Sequence, residues 1–371
     1  MDYREKIMLT EKALTQHEQI LERVLGGERL NTADALELFS CDLLSLGAAA
    51  TQIRNRLHPG NLITFVVDRN VSYTNTCFID CDFCAFYRRP GDPEAYTLSI
   101  DEIFAKIQEL VDMGGTQVLI QGGVNPNLPL DYYLNLIHSV HERFPQVHIH
   151  SFSVVELDFI ALKSKLPVRR VLELFKEAGL NSLPGAGAEI LVERVRKLIS
   201  PKKNSTERWL EIMRTAHELG LRTTATMVFG HVETFEERIE HLEVLRKLQD
   251  ETHGFRAFIS WTLAPNGTPR MSHFEPASGE DFLRTLAIAR LYLDNFENIQ
   301  SGWLTEGLKL GQIALSFGAN DMGGTLLEDK VLEPTGIEVK TKKEDLIELI
   351  QGAGYIPAQR NTNYEILKVY Q

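Results

Sequence analysis

Three of the chain's four cysteines fall within eight residues: Cys77, Cys81 and Cys84, spaced C-x3-C-x2-C in the run Tyr73-Thr74-Asn75-Thr76-Cys77-Phe78-Ile79-Asp80-Cys81-Asp82-Phe83-Cys84-Ala85-Phe86-Tyr87. Such a distribution is typical of metal ligation rather than of a disulfide scaffold. A compact loop lets three thiolates converge on three irons of a cubane. With no fourth cysteine nearby, one iron is left open to a small molecule that brings its own nitrogen and oxygen donors. A zinc site is the alternative, with Cys81-x2-Cys84 completed by His148 and His150. A zinc ribbon would normally carry a second paired motif, and the sequence has none. Cys41, in the apolar run Leu38-Phe39-Ser40-Cys41-Asp42-Leu43-Leu44, reads as core packing.

Other candidates follow at the ends of strand-like runs. In Gln121-Gly122-Gly123-Val124-Asn125 the glycines let backbone groups approach a ligand closely, although a simple turn would look the same. Ser153 and Glu156 can reach hydroxyl groups of a bound molecule, or can cap the next helix, since Ser153-x-x-Glu156 is also a capping box. Glu189, in Pro184-Gly185-Ala186-Gly187-Ala188-Glu189, either faces the site or begins a helix.

The elements that must position these residues change character near residue 60. Up to about residue 58 the pattern is helical, with an apolar stripe through Leu36, Phe39, Leu43, Leu44 and Leu46 and an N-cap in Asn31-Thr32-Ala33-Asp34. Beyond it, short β-rich runs alternate with amphipathic helices, as in repeated βα units. Strands are expected at 63–67 with 71–74, 117–120, 147–150, 180–183, 222–228, 255–261, 299–303 and 313–317. Helices are expected over 99–113, 205–219 and 233–249. Eight βα units fit a TIM-type (β/α)8 barrel, which takes about 250 residues and carries its site on the loops after the strand C-termini. A doubly wound open sheet is the rival. The expected division is an N-terminal helical extension (1–60), the α/β barrel (61–325), and a C-terminal segment (326–371) that closes it through an amphipathic helix bearing Leu346, Ile347, Leu349 and Ile350.

The chain has 371 residues, 43% of them hydrophobic, and a net charge of −12, enough apolar content for a substantial core and the wrong sign for gripping phosphate backbones. No run of 18 apolar residues appears, and Met1-Asp2-Tyr3-Arg4-Glu5-Lys6 is charged where a signal peptide turns apolar. The expectation is a cytoplasmic protein with neither nucleic acid nor membrane as partner.

The cysteine segment resembles closely the radical S-adenosylmethionine (SAM) superfamily. Across nearly its whole length the chain is similar to the futalosine-pathway enzymes of menaquinone synthesis and to the enzymes that assemble deazaflavin. The segments that carry this are 73–88, 116–123, 182–191, Thr223-Thr224-Ala225-Thr226-Met227-Val228-Phe229-Gly230-His231-Val232-Glu233-Thr234, 248–251 and Gly318-Ala319-Asn320-Asp321-Met322-Gly323-Gly324-Thr325. Ala186 and the run Ser260-Trp261-Thr262-Leu263-Ala264-Pro265 depart from the pattern of relatives, away from the cysteines. The resemblance implies a [4Fe–4S] cluster on Cys77, Cys81 and Cys84, and S-adenosyl-L-methionine on the open iron with its amino end at Gln121, Gly122 and Gly123. It puts Phe83 near the adenine, and an electron donor such as flavodoxin or ferredoxin supplies the reducing equivalent. It further implies a small-molecule substrate, dehypoxanthine futalosine, whose ribose C4′ hydrogen is abstracted by an adenosyl radical so that the carbon radical closes on the benzoate ring. That chemistry asks for one base, for which His231, Glu233 and Asp321 are candidates. It also asks for a partner to the benzoate, for which Arg69, Thr226 and Arg256 are candidates.

Overall fold

The computed structural model describes residues 14–338 and 341–371. The charged stretch 1–6, read above as unlike a signal peptide, lies outside the described residues. Local rules account for most of the helices. Ile100–Asp112 starts at a reciprocal cap between Ser99 and Glu102 and buries Ile103, Ile107 and Leu110, one face at helical spacing. Phe235–Thr252 starts at the same kind of cap, Thr234 with Glu237. Leu43–Leu57 is capped by Asp42 and packs on Gly279–Tyr292. Cys41 is buried in the core there. No helix among the described residues is long and apolar enough to cross a membrane.

Among the described residues ten strands form: β1 Leu62–Val66, β2 Asp68–Val71, β3 Gln117–Ile120, β4 His148–Ser151, β5 Thr223–Phe229, β6 Phe255–Thr262, β7 Asn298–Ile299, β8 Asp321–Gly324, β9 Ile356–Arg360 and β10 Ile366–Val369. Their pairing gives three sheets, ordered β10-β9-β1-β8, β2-β3-β4 and β5-β6-β7. Every pair is parallel except β9 with β10. Strands β1 and β2 are one run interrupted at Val67. Parallel bridges His150↔Ser182 and Leu183↔Thr223 join the second sheet to the third, and Gln300↔Asp321 joins the third to the first. The sheet faces and helix inner faces share one continuous apolar cluster. The architecture is therefore α/β with parallel sheets, helices crossing between successive strands, as parallel pairing requires.

Four expectations need correction. The strand expected at 71–74 lies at Asp68–Val71, and the chain leaves the sheet after it. Residues 180–183 form bridges and no strand of their own. The expected strand at 299–303 stops at Ile299, because Gly302 turns left-handed at φ 63° and Trp303 begins a short helix. The expected strand at 313–317 is the end of helix Leu308–Ala314 followed by a single 3₁₀ turn: Gly311, Ala314 and Leu315 face inward while Ile313 is exposed, a helical period rather than a period of two. The real strand in that place is Asp321–Gly324. The C-terminal helix forms as expected, Lys343–Gly352 with Leu346 and Ile350 buried, but the strands after it, β9 along β1 and β10 along β9, were not foreseen.

Candidate active site

Residues 72–89 leave β2 and are pinned before they reach solvent. Cys77 N–H donates to Arg88 O (2.8 Å), Arg88 N–H to Asn75 O (2.8 Å) and Phe78 N–H to Val124 O (3.2 Å). The Arg88 guanidinium gathers the carbonyls of Ala85, Phe86 and Tyr87 and pairs with Glu94. Cys77 and Cys81 are buried and Cys84 is half-buried. All three line one cavity of about 420 Å³. Burial pushes the Cys81 thiol up to about 12 and moves the Cys84 thiol upward, so each gives up its proton readily only to a metal that takes the thiolate. His148 and His150, the partners a zinc site would need, both bond Ser182 Oγ at 2.7 Å instead.

The glycine turn fits against this loop with no space to spare. A Cβ on Gly123 would stand 2.4 Å from Thr76 O and 2.9 Å from Cys77 Cβ, and one on Gly122 2.8 Å from Thr74 O. Gly123 N–H donates to Thr74 O at 2.8 Å. Gln121, Gly122 and Gly123 all line the cavity. Ser153 lines it too, while its hydroxyl caps helix Val154–Ser164 with Glu156, Oγ–Oε2 2.7 Å. Glu156 itself lies behind the wall. Its other oxygen accepts from Tyr73 Oη (2.9 Å) and Gly122 N–H (3.2 Å), so it acts on the site through Gly122. Burial raises its carboxyl to about 7.

Glu189 reaches the cavity from a left-handed residue, φ 42°, a strained conformation that the surroundings enforce. Arg196 bonds the carbonyls of Gly187 and Ala188 beneath it. Lys203, half-buried, gives Glu189 Oε1 a 2.7 Å ion pair and lies 5.0 Å from the Phe83 ring centroid, while Glu189 Oε2 has no hydrogen bond and lies 3.9 Å from Arg196 Nη1. Lys203 sits in Pro201-Lys202-Lys203-Asn204, where nothing in the spacing distinguishes it from a surface lysine. The three thiols, the glycine cradle and the carboxylate oxygen left without a hydrogen bond fit a cubane with a bound amino-acid-bearing ligand.

The opposite end of the cavity is polar and charged. Thr226 and Arg256 face it, with Thr226 Oγ1 donating to Gly185 O at 2.8 Å. Asp68, buried, also lines it, accepting from Leu326 N–H (2.9 Å) and Gln117 Nε2 (3.0 Å), and burial raises its carboxyl to about 6. Gln300, Arg360 and Tyr364 complete this end. None of these last four was singled out from sequence; Arg360 and Tyr364 arrive from the C-terminal segment, about 300 residues from the cysteines.

Besides Glu156, four expected residues are turned elsewhere. Arg69 points outward to Glu109 (2.5 Å) and Glu328 (2.9 Å). His231 is buried against its own turn, Nε2 to Val228 O 2.9 Å and Nδ1 to Val232 N–H 2.8 Å. Glu233 accepts from Gly230 N–H, His231 N–H and Arg238, and the His231 ring (Nδ1–Oε2 3.0 Å), then Arg238 and Gly230 N–H, hold its carboxyl down at about 2 despite burial. Asp321 is saturated by Arg360, Thr64 and Gly323 N–H. Asp321, Glu233, His231 and Arg69 all lie outside the cavity lining.

Fold and site together define an enzyme that carries an iron–sulfur cluster at the mouth of a cavity framed by parallel strands. The Radical SAM superfamily matches residues 71–245 and the CofH/MqnC C-terminal region matches residues 252–371. The chain is 46% identical to the cyclic dehypoxanthine futalosine synthase of Halalkalibacterium halodurans over 95% of both chains. It is 42% identical to the aminodeoxyfutalosine synthase of Thermus thermophilus, over 95% of this chain and 96% of that one. Methylornithine synthase shares the fold, with a TM-score of 0.72 at 18% identity over 91% of this chain and 97% of that one. The chain belongs to the radical SAM superfamily, within the group that carries the CofH/MqnC C-terminal region. Its cofactors are accordingly a [4Fe–4S] cluster and S-adenosyl-L-methionine.

Proposed function

We propose that this enzyme converts dehypoxanthine futalosine to its cyclic product by forming a carbon–carbon bond between the ribose and the benzoate ring, in the futalosine route to menaquinone. The observation that carries the reading is a single cavity with the cysteines and glycine cradle at one end and a buried guanidinium at the other. Identity of 46% and 43% to two cyclic dehypoxanthine futalosine synthases supports the choice of reaction.

Cys77, Cys81 and Cys84 hold the cluster; Gln121, Gly122, Gly123, Ser153 and Glu189, with Lys203, hold the SAM; Phe83 borders the adenine. When bound, these groups supply one-electron reductive chemistry that removes a hydrogen atom from the substrate. The chain's own task is confinement and orientation, because a reactive carbon centre attacks whatever lies beside it. Closing the ring also releases one electron, taken up by the oxidised form of the small electron-transfer partner, and one proton. Asp68 takes that proton on a carboxylate oxygen, in the place first considered for His231, Glu233 and Asp321. Thr226 and Arg256 contact the substrate.

We also infer that the three sheets, through their bridges, close into a (β/α)8 barrel within 61–325, with the described helices before residue 60 ahead of it and the described C-terminal elements across its end. The enzyme works in the cytoplasm with a small reductant such as flavodoxin or ferredoxin. The test is anaerobic incubation of reconstituted enzyme with SAM, a reductant and dehypoxanthine futalosine. A product two hydrogens lighter is expected, with 5′-deoxyadenosine. No such product, together with turnover of an enolpyruvyl benzoate, would move the chain to the aminodeoxyfutalosine synthase reaction.

A further inference from the structure

Arg256 is the second residue of β6, so it stands at the N-terminal end of a parallel strand whose C-terminal residues, Trp261 and Thr262, line the opposite end of the same cavity. The cysteines follow the C-terminal end of β2. Six residues of strand therefore separate Arg256 from the rim, about 20 Å along the strand at ~3.3 Å each. Arg256 is 3% exposed. Its Nη2 meets His150 Nδ1 at 3.1 Å, and its Nε and Nη1 have no partner.

An arginine cannot accept a hydrogen bond, so His150 Nδ1 is the unprotonated nitrogen and the ring proton sits on Nε2. The ring is held neutral, since burial and Arg256 both drive its protonation well below the usual range. His150 thus supplies no negative charge. The other groups that act on Arg256 are Arg360, Arg222 and Tyr364, and Arg360 is already bound to Asp321. Burial and these cations pull the guanidinium down to about 9.

Other buried arginines are settled differently. Arg290 donates to three carbonyls and to Asn320 Oδ1. Arg54, which also has unpartnered nitrogens, lies over the Tyr355 ring and outside the cavity. Arg256 alone among these three combines free donors with a place in the cavity. A buried cation without an anion is costly to fold around, and Nε–H or Nη1–H, together with the second N–H of Nη2, matches a carboxylate in fork geometry.

The geometry points to Arg256 as the anchor for a carboxylate at the deep end of the cavity: the aryl carboxylate of the substrate, held there so that its far end extends toward the cluster. The naming of the aryl group rests on the futalosine reading; the carboxylate site itself does not.

The anchor makes the carboxylate the specificity handle. Replacing it by a neutral amide leaves a buried cation unpaired, so the amide should bind at least about thirty-fold more weakly. The test is isothermal titration and thermal melting of the reconstituted full-length enzyme with SAM, using 4-acetylbenzoate and 4-acetylbenzamide as probes. The benzoate should bind and raise Tm, and the amide should do neither. In Arg256→Met the benzoate-induced rise should vanish while the ligand-free Tm is equal to or above wild type, because an unpaired charge has been removed. A merely structural arginine would lower it. Arg256→Lys, which keeps charge but loses the fork, should bind the benzoate with intermediate affinity, and it serves if the Met variant fails to fold. SAM affinity should be unchanged in both variants; its loss would assign the carboxylate to SAM and overturn the proposal. Benzoate affinity within threefold of wild type in Arg256→Met, or equal binding of acid and amide, would overturn it as well. Wild-type enzyme that binds the benzoate at Arg256 yet leaves dehypoxanthine futalosine unchanged would end the futalosine reading and leave the anchor standing.

Discussion

The fit between the glycine turn and the cysteine loop makes Gly123→Ala a demanding perturbation. Gly123 does not occupy the left-handed region, so alanine costs nothing in backbone conformation there, and the effect is one of space. The added Cβ would lie 2.4 Å from Thr76 O and 2.8 Å from Thr76 C, where ordinary contact begins near 3.4 Å. Relief needs about 1 Å of separation, and the atoms in the way are backbone, one peptide from Cys77, so no side chain can swing aside. Metal–ligand distances tolerate about ±0.2 Å, and a functional constellation about 0.5 Å. The displacement therefore exceeds what the cluster accepts. Overpacking of this kind costs about 1–3 kcal/mol, which a chain of this size survives folded. The expected outcome is a folded protein by circular dichroism, with iron and sulfide content well below four of each after anaerobic reconstitution and 5′-deoxyadenosine release reduced at least about a hundred-fold. Gly352→Ala is the control: its Cβ would meet only the end of the Gln312 side chain, at 3.1 Å. A Gly123→Ala enzyme with full cluster content and wild-type SAM cleavage would refute the argument that this turn sets the position of Cys77.

His231→Gln should keep turnover within about threefold while lowering stability by about 1 kcal/mol for the lost turn contacts; a hundred-fold loss of kcat with the cluster intact would restore His231 as a base. Asp321→Ala leaves Arg360 buried without its carboxylate and should cost about 3–5 kcal/mol in denaturant unfolding; a loss under about 1 kcal/mol would mean the pair does not bind the C-terminal segment to β8. Asp68 acts as a carboxylate, so with its carboxyl raised to about 6 the wild-type kcat should rise through pH 6 and level off above it. Asp68→Asn should lower kcat about 10²-fold or more and abolish that limb, and an unchanged profile would remove Asp68 from proton transfer.

What the sequence disclosed and what it concealed divide along physical lines. The cysteine loop and the glycine turn are local: their residue types are dictated by ligand chemistry and close approach, and both are visible in a few consecutive positions. Strands β3, β5 and β6 are buried apolar or β-branched runs whose pattern no neighbour overrides. Strand β8 is Asp-Met-Gly-Gly, a poor strand by propensity, and its glycine has a tertiary cause: a Cβ on Gly324 would sit 2.1 Å from Asp68 Oδ1. His231 and Glu233 looked catalytic because polar residues after a strand serve either a site or a turn. Here Glu233 gathers the amides of Gly230 and His231 into a self-contained turn clamped by Arg238. Arg360 and Tyr364 could not be assigned from sequence, since only the pairing of β9 with β1 brings them to the cavity.

Arg69 illustrates how strand geometry decides between neighbours of similar promise. In β2 successive side chains alternate between faces; Asp68 and Asn70 line the cavity, which puts Arg69 on the far side facing helix Ile100–Asp112. There it binds Glu109 and, together with Lys106, Glu328, holding the guanidinium and ammonium against one carboxylate. Those cations keep Glu328 ionised, lowering its carboxyl against the effect of burial. The next residue, Asp329, turns back to the cavity side and accepts from Asn70 Nδ2 at 3.3 Å, and Leu326, Val331 and Leu332 continue along the cavity wall. The two faces of β2 thus grip the same stretch of chain, outward through Arg69 and inward through Asn70, and fix the wall beside Asp68. An arginine that would have been a poor benzoate ligand, already neutralised by two carboxylates, instead holds the wall in place, while the arginine left without a carboxylate, Arg256, lies inside it.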